Sequence, residues 1–244
     1  MLTKSEAKYI QTLSQKKQRD AESLFVVEGP KIVSEAFAAQ NIRIRKIYAT
    51  EEWLLQNKTA ISGREFQLVT DIELKKISQL TTPNQVLALI EKPFHQKFEF
   101  KKDHLALVLD GIQDPGNMGT IIRTADWFGI RQIICSTDCA DAYGSKVVQA
   151  TMGSIFRIEL LYTDLAAWLQ QPSGVKIYGA SLNGKPLQTF ETLHQGLLVI
   201  GNESRGIREN VLPLLHEKIT IPKIGAAESL NAAVATGIIL SHLT

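Results

Sequence analysis

Short apolar runs alternate with amphipathic stretches along all 244 residues, and their spacing predicts alternating strands and helices. In the first part, residues 24–28, 43–49, 66–69 and 86–91 read as strands, with helices at 30–40 and 71–79 between them. Ahead of these, residues 3–19 read as one basic helix in which Thr3 and Glu6 have capping-box spacing. Residues 105–109, 132–135, 155–160, 175–178, 197–200 and 218–221 read as six further strands separated by helical segments. Runs such as ALVL and LLVI suit strands buried on both faces, so the pattern predicts an α/β fold with a parallel sheet covered by helices. Residues 93–103 are charged and aperiodic and read as a linker. The expected division is an N-terminal α/β domain at 1–92, the linker, and a second domain at 104–244.

Three predicted strands run into polar, glycine-containing loops, where ligand sites gather in open α/β sheets. In LDGIQDPGNMGTIIRTADWFG, residues 109–129, Pro115 fixes φ and Gly116 permits a positive φ. Asn117 is expected to cap a helix that Gly129 ends. Arg123 then falls in the first two turns, where anion binding at a helix N-terminus competes with an ordinary surface arginine. LLVIGNESRGI, residues 197–207, repeats strand, glycine and polar turn, with Glu203 as its carboxylate. ITIPKIGAAESLNAAVATGIIL, residues 219–240, passes from a strand through a loop into a helix expected to open with Ser229, Leu230 and Asn231.

Together the three blocks resemble the SpoU (TrmH-like) branch of the SPOUT superfamily, the RNA ribose 2′-O-methyltransferases. Asn117 and Arg123 match the asparagine and arginine of the family's first block. Gly201, Glu203 and Gly206 match its Gly-x-Glu-x-x-Gly, and Ser229, Leu230 and Asn231 match its Ser-Leu-Asn. GSKVVQATMGSIFRI, residues 144–158, is similar to the family's small-residue helix running into a strand. FVVEGPKIVSEA, residues 25–36, looks like the opening of the RNA-binding domain that the family carries, which is similar to a ribosomal-protein fold.

The resemblance implies a SPOUT domain with a deep C-terminal trefoil knot and S-adenosyl-L-methionine as cofactor. It also implies a structured RNA substrate, ribosomal favoured over transfer RNA, and a homodimer with the site at or near the subunit contact. Catalytic positions would be Arg123, Asn117, Glu203, Ser229 and Asn231. Cofactor would be held largely by main-chain atoms at Gly201, Ile221 and Leu230, with Ser181, Leu182 and Asn183 lining the same pocket. A non-catalytic RNA-binding protein that kept the fold is the alternative.

Methyl transfer from a sulfonium needs the methyl group held in line with its nucleophile. None of the three blocks contains a histidine, so the commonest general base is missing. A guanidinium is charged at neutral pH, which suits Arg123 to gripping the phosphate beside the target ribose. A part in taking the proton, together with that phosphate, stays open. Glu203 reads as holding loop backbone through accepted N–H bonds, with catalysis as the other reading. Ser229 is expected to cap the last helix and Asn231 to face substrate or Arg123. By residue type alone, Ile221 and Leu230 read as core.

Two other motifs lead elsewhere. GASLNGKP, residues 179–186, follows a predicted strand and satisfies G-x4-G-K, but Pro186 stands where a P-loop needs Ser or Thr. Cys135 and Cys139 form a lone C-x3-C with no second pair, which reads as two ordinary thiols rather than a zinc site, and no metal is expected. Hydrophobic residues make up 44% of the chain, yet no apolar run reaches the roughly 18 residues of a membrane span. The polar N-terminus lacks a signal-peptide core, so a cytoplasmic protein is expected. Residues 1–103 carry 17 Lys and Arg against 13 Asp and Glu, and the remainder 10 against 12, so the basic excess lies N-terminally.

Overall fold

Helix formation starts at Thr3, whose hydroxyl accepts the Glu6 N–H at 3.1 Å as the capping-box spacing predicts. The computed structural model describes residues 1–40, 42–93, 98–171 and 174–244. The single helix expected over 3–19 is two, α1 (Lys4–Thr12) and α2 (Lys16–Glu22). Leu13 is fully buried at the break, and buried Arg19 of α2 donates to the Leu13 and Ser14 carbonyls at 2.8 and 2.7 Å, closing the end of α1.

The chain forms two units, and the first joins Met1–His95 to Asp141–Phe156. Its strands are β1 (Leu24–Glu28), β2 (Ile44–Ala49), β3 (Phe66–Leu68) and β4 (Val86–Glu91), in sheet order β1-β4-β2-β3. β4 runs antiparallel to both neighbours, and β2 and β3 are parallel. Between the strands lie α3 (Pro30–Ala38), α4 (Glu51–Gln56), α5 (Lys58–Ile61) and α6 (Asp71–Ile77). α4 and α5 are too short to show a helical repeat, and the pattern did not predict them. Side chains alternate across the sheet: Phe25, Val27 and Ile47 pack with Trp53 in one cluster, while Val26, Tyr48 and Leu87 pack with Ile10 and Leu13 in another.

Asp141–Phe156, expected inside 104–244, belongs to this first unit. Arg19 pairs with Asp141 at 2.5 Å, both largely buried, and the Tyr143 and Phe25 rings lie 5.0 Å apart. Gln149 Nε2 donates to the Glu28 carbonyl at 2.9 Å, and Val148 sits in the same core cluster as Phe25.

The second unit, Gln96–Ala140 with Arg157–Thr244, carries β5 (Leu105–Asp110), α7 (Pro115–Trp127) and β6 (Gln132–Ser136). α8 (Ser145–Thr151), in the first unit, interrupts it. It continues with β7 (Glu159–Thr163), α9 (Leu165–Leu169), β8 (Ile177–Pro186), β9 (Gly196–Gly201), β10 (Glu217–Thr220) and α10 (Ala232–Leu243). All six strands are parallel, in order β10-β8-β9-β5-β6-β7. Ala106, Val108, Leu197 and Val199 form a core cluster with Leu165 and Leu169 of α9. α7 buries Met118, Ile121 and Ile122, and α10 buries Ile239 and Leu240.

The expected linker is partly structured. Residues 94–97 of it lie outside the described residues, but Phe100 stacks edge-on to Trp168 and the Lys101 N–H donates to Gln132 Oε1 at 2.9 Å. The strand expected at 155–160 starts at Glu159 instead. Met152 and Gly153 adopt positive φ and turn the chain into a 3-10 segment at Ser154–Phe156. GASLNGKP follows no strand, because it makes up all of β8 after Ile177 and Tyr178. A Cβ at Gly184 would lie 2.6 Å from the Lys218 carbonyl carbon, so that glycine permits β10 to approach and cradles no phosphate.

Candidate active site

β5 ends in buried Asp110, and Gly111 at φ +72° turns the chain out of the sheet. Asp114, not Asn117, caps α7: its carboxylate accepts the Asn117 N–H at 2.8 Å, with Pro115 at the first helical position. Arg123 is therefore the ninth helical residue, too far along for a role at the helix N-terminus. It is exposed and forms no hydrogen bond or ion pair among the described residues.

Freed from capping, the Asn117 side chain reaches the other two blocks. Its Nδ2 donates to Glu203 Oε1, and its Oδ1 accepts from Asn231 Nδ2 at 2.8 Å. Asn231 is the cap of α10, its Oδ1 accepting the Ala233 and Val234 N–H groups at 3.0 and 3.2 Å. Ser229, expected to be the cap, lies two residues before it. The amide orientations follow from the two ends of this chain. An ionised carboxylate only accepts and the helix N–H groups only donate, so each asparagine has one satisfactory orientation.

The turn after β9 is closed on itself. Asn202 and Gly206 exchange backbone bonds at 3.1 and 2.9 Å, and Asn202 Oδ1 accepts the Ser204 and Arg205 N–H groups at 2.9 and 3.2 Å. A Cβ on Gly201 would lie 2.3 Å from the Gly206 carbonyl carbon, so only glycine permits this closure.

A cleft of about 960 Å³ opens at the carboxyl ends of β8, β9 and β10. Ser181, Leu182, Asn183, Gly201, Ile221 and Leu230, the expected cofactor residues, all line it, as do Glu203 and Ser229. Leu182 and Leu230 are 68% and 45% exposed, which sets aside core packing for Leu230. Ile221 is half-buried on the cleft wall. Asn117, Arg123 and Asn231 stand outside the lining.

A second polar web was not foreseen. Asp110 accepts the Arg208 backbone N–H at 2.8 Å and its Nε, and Arg208 Nη2 reaches Asp138 at 3.2 Å. Ser136 Oγ donates to Asp138 at 2.7 Å and accepts the Gly111 N–H at 2.9 Å. The Ser136 hydrogen bond, with Arg208 nearby, holds the Asp138 carboxyl below its usual range. Asn202 Nδ2 adds a bond to the Gly111 carbonyl at 2.8 Å. Asp110 and Arg208 are 98 positions apart, and only the acid ending an otherwise apolar strand hinted at the web.

The two thiols beneath it are free and buried, in unequal surroundings. The Cys135 hydrogen bond, helped by Ser136 and backbone N–H groups against burial, brings Cys139 down to about 7, whereas burial pushes Cys135 up. Among the described residues no cluster of His, Cys, Asp or Glu could hold a metal.

A parallel sheet whose carboxyl ends gather three separated loops around one cleft defines a class, and comparison gives that class a name. Residues 104–241 match the SpoU rRNA Methylase family, so the chain belongs to it, and residues 4–88 match an MRM3-like substrate binding domain. The chain is 31% identical over 234 residues to the 23S rRNA (guanosine(2553)-2′-O)-methyltransferase RlmP of Bacillus subtilis, covering 95% of this chain and 92% of that one. Among solved structures it resembles a TrmH-family protein from Porphyromonas gingivalis, at 36% identity and TM-score 0.88, covering 99% of this chain and 97% of that one. It also resembles an AdoMet-bound rRNA methyltransferase from Sinorhizobium meliloti, at 30% identity and TM-score 0.86, covering 98% and 94%.

Proposed function

We propose that this protein transfers a methyl group from S-adenosyl-L-methionine to the 2′-hydroxyl of a ribose in ribosomal RNA. The observation that carries this reading is the hydrogen-bonded chain Glu203–Asn117–Asn231, which ties the three motif blocks together beside the cleft. The cleft suits the cofactor's two-sided chemistry. Leu182, Ile221 and Leu230 offer apolar surface to an adenine ring, and Ser181, Asn183 and Glu203 offer polar groups to its sugar and amino-acid ends. When bound, the cofactor supplies an electrophilic methyl group on sulfur.

The chain's own residues would do the rest by holding and orienting. Arg123, exposed and unpaired among the described residues, binds the phosphate next to the target ribose through its planar fork and so aims the hydroxyl. Glu203 and Asn117 fix the rim against which the ribose rests, Asn231 locks α10 to that rim, and Ser229 faces the cleft.

We further assign RNA binding to the first unit, a deep C-terminal trefoil knot to the second, and a cytoplasmic location to the whole. We also assign a homodimer, which exposed Trp127 on α7 with Val234 and Ile238 on α10 supports as a self-association face. Calorimetric titration with S-adenosylhomocysteine, joined to mass-spectrometric mapping of ribose methylation in rRNA with and without the protein, tests the activity. Saturable binding and one lost methylation are expected. Absence of both returns the chain to a non-catalytic RNA binder. An active 27.1 kDa species in sedimentation would exclude the dimer.

A further inference from the structure

The turn after β9 carries two arginines in opposite circumstances. Arg208 is tied into the fold: its backbone N–H and Nε bind Asp110, whose side chain is fully buried, and Nη2 binds Asp138. Arg205, three residues earlier, is exposed, and its side chain has no hydrogen bond or ion pair among the described residues. It lines the cleft two residues from Glu203, one oxygen of which accepts from Asn117.

The backbone presenting Arg205 is fixed. Its own N–H is held by Asn202 Oδ1 at 3.2 Å, the Asn202–Gly206 bridge closes the turn, and the Asn202 and Arg208 anchors tie both ends to residues 110 and 111. A guanidinium that holds nothing in the fold, set on a pinned turn at the mouth of the cleft, is arranged for an anion brought by the substrate. For an RNA substrate, as proposed above, that anion is a backbone phosphate, which the planar fork binds through two hydrogen bonds.

We propose that Arg205 binds a phosphate of the RNA strand flanking the ribose to be methylated, a substrate contact separate from that of Arg123. The test is equilibrium binding of purified bacterial 23S rRNA between about 50 and 200 mM salt, comparing wild type with Arg205→Ala and Arg205→Lys. Loss of one phosphate contact lowers the slope of log affinity against log salt by about 0.7 to 0.9. Arg205→Ala is expected to show that smaller slope and affinity about tenfold weaker at low salt. Arg205→Lys, a point charge in place of a fork, keeps the slope with an intermediate affinity. S-adenosylhomocysteine affinity and melting temperature stay at wild-type values in both.

An unchanged slope in Arg205→Ala, beside a wild type that binds, overturns the assignment alone. A parallel fall in S-adenosylhomocysteine affinity overturns it in favour of a cofactor contact. A wild type that does not bind rRNA overturns both this assignment and the activity on which it rests.

Discussion

Asn231 performs two tasks with one amide, and substitution can separate them. Its Oδ1 caps α10 through the Ala233 and Val234 N–H groups, and its Nδ2 holds Asn117, which holds Glu203. Asn231→Ala removes both. Loss of an N-cap costs about 1 kcal/mol, up to about 2. For a chain of this size each kcal/mol lowers the melting temperature by about 2–4 °C. Asn231→Asp keeps the cap, because a carboxylate accepts helix N–H groups as well as an amide does. It cannot donate to Asn117, however, and its second oxygen would face the Asn117 carbonyl oxygen. The Asn117 amide has one donor end, so it satisfies either Glu203 or the new carboxylate and leaves the other facing an oxygen. One displaced hydrogen bond is worth about 0.5–1.5 kcal/mol, which corresponds to a rate loss of about two- to tenfold if the geometry is needed in the transition state. Methyl transfer from labelled cofactor to rRNA, measured beside thermal unfolding, reads the two tasks apart. Asn231→Asp should lose rate and melt about 1–6 °C below wild type, and Asn231→Ala, which loses the cap as well, should melt about 2–4 °C lower still. If the rates of both variants simply follow their melting temperatures, the hydrogen-bonded chain has no part in catalysis.

Asp141→Ala leaves the buried Arg19 charge without its ion partner and should destabilise the protein by about 3–5 kcal/mol in chemical denaturation. A loss under 1 kcal/mol would mean that Asp141–Phe156 is not integral to the first unit. Gly201→Ala forces a Cβ into the Gly206 backbone and should cost about 1–3 kcal/mol while weakening S-adenosylhomocysteine binding, because the turn can no longer close beside the cleft. Unaltered binding in calorimetry would refute the need for that closure. Glu28 gives a pH signature. Burial raises its carboxyl pKa despite bonds from Ser78 and the Gln79 N–H, so its contribution is complete below the unfolded pKa and is lost as pH rises through the folded one. The stability of Glu28→Gln relative to wild type should therefore increase from pH 4 to pH 7 in denaturant titrations, and a flat difference would sink the argument.

The second unit was largely legible because a buried parallel sheet writes itself as repeated apolar runs, and the loops after β5 and β9 are announced by Gly111 and Gly201 where those strands end. What stayed hidden was whatever depends on contact between distant segments. GSKVVQATMGSIFRI has the periodicity of a helix wherever it packs, and nothing in that period assigns Val148 to the core around Phe25. The Asp110–Arg208 web is equally silent in sequence, since spacing carries no information across 98 residues. At the start of α7 a local signal did exist. Asp114 followed by Pro115 is an N-cap and first-turn pair, and it outranks Asn117 because proline has no N–H to leave unsatisfied.

The last helix offered no such local signal, and its start shows what decides between chemically similar caps. Ser229 and Asn231 can each accept backbone N–H bonds, so propensity does not separate them. The difference is that an asparagine caps with its oxygen and still has a donor to spend, whereas a serine hydroxyl has one short arm. The site requires that second arm, because Asn117 already points its own donor at Glu203 and is left with an oxygen to satisfy. Residue type at 117 is constrained from both sides in the same way: a carboxylate there would oppose Glu203, and an apolar side chain would leave both neighbours unpaired. The direction of hydrogen bonding, running from α10 through Asn231 and Asn117 to the Glu203 carboxylate, thus selects an amide at each intermediate position. The two asparagines that match the family's motifs are residues whose identity follows from this geometry, with the helix cap as its fixed end.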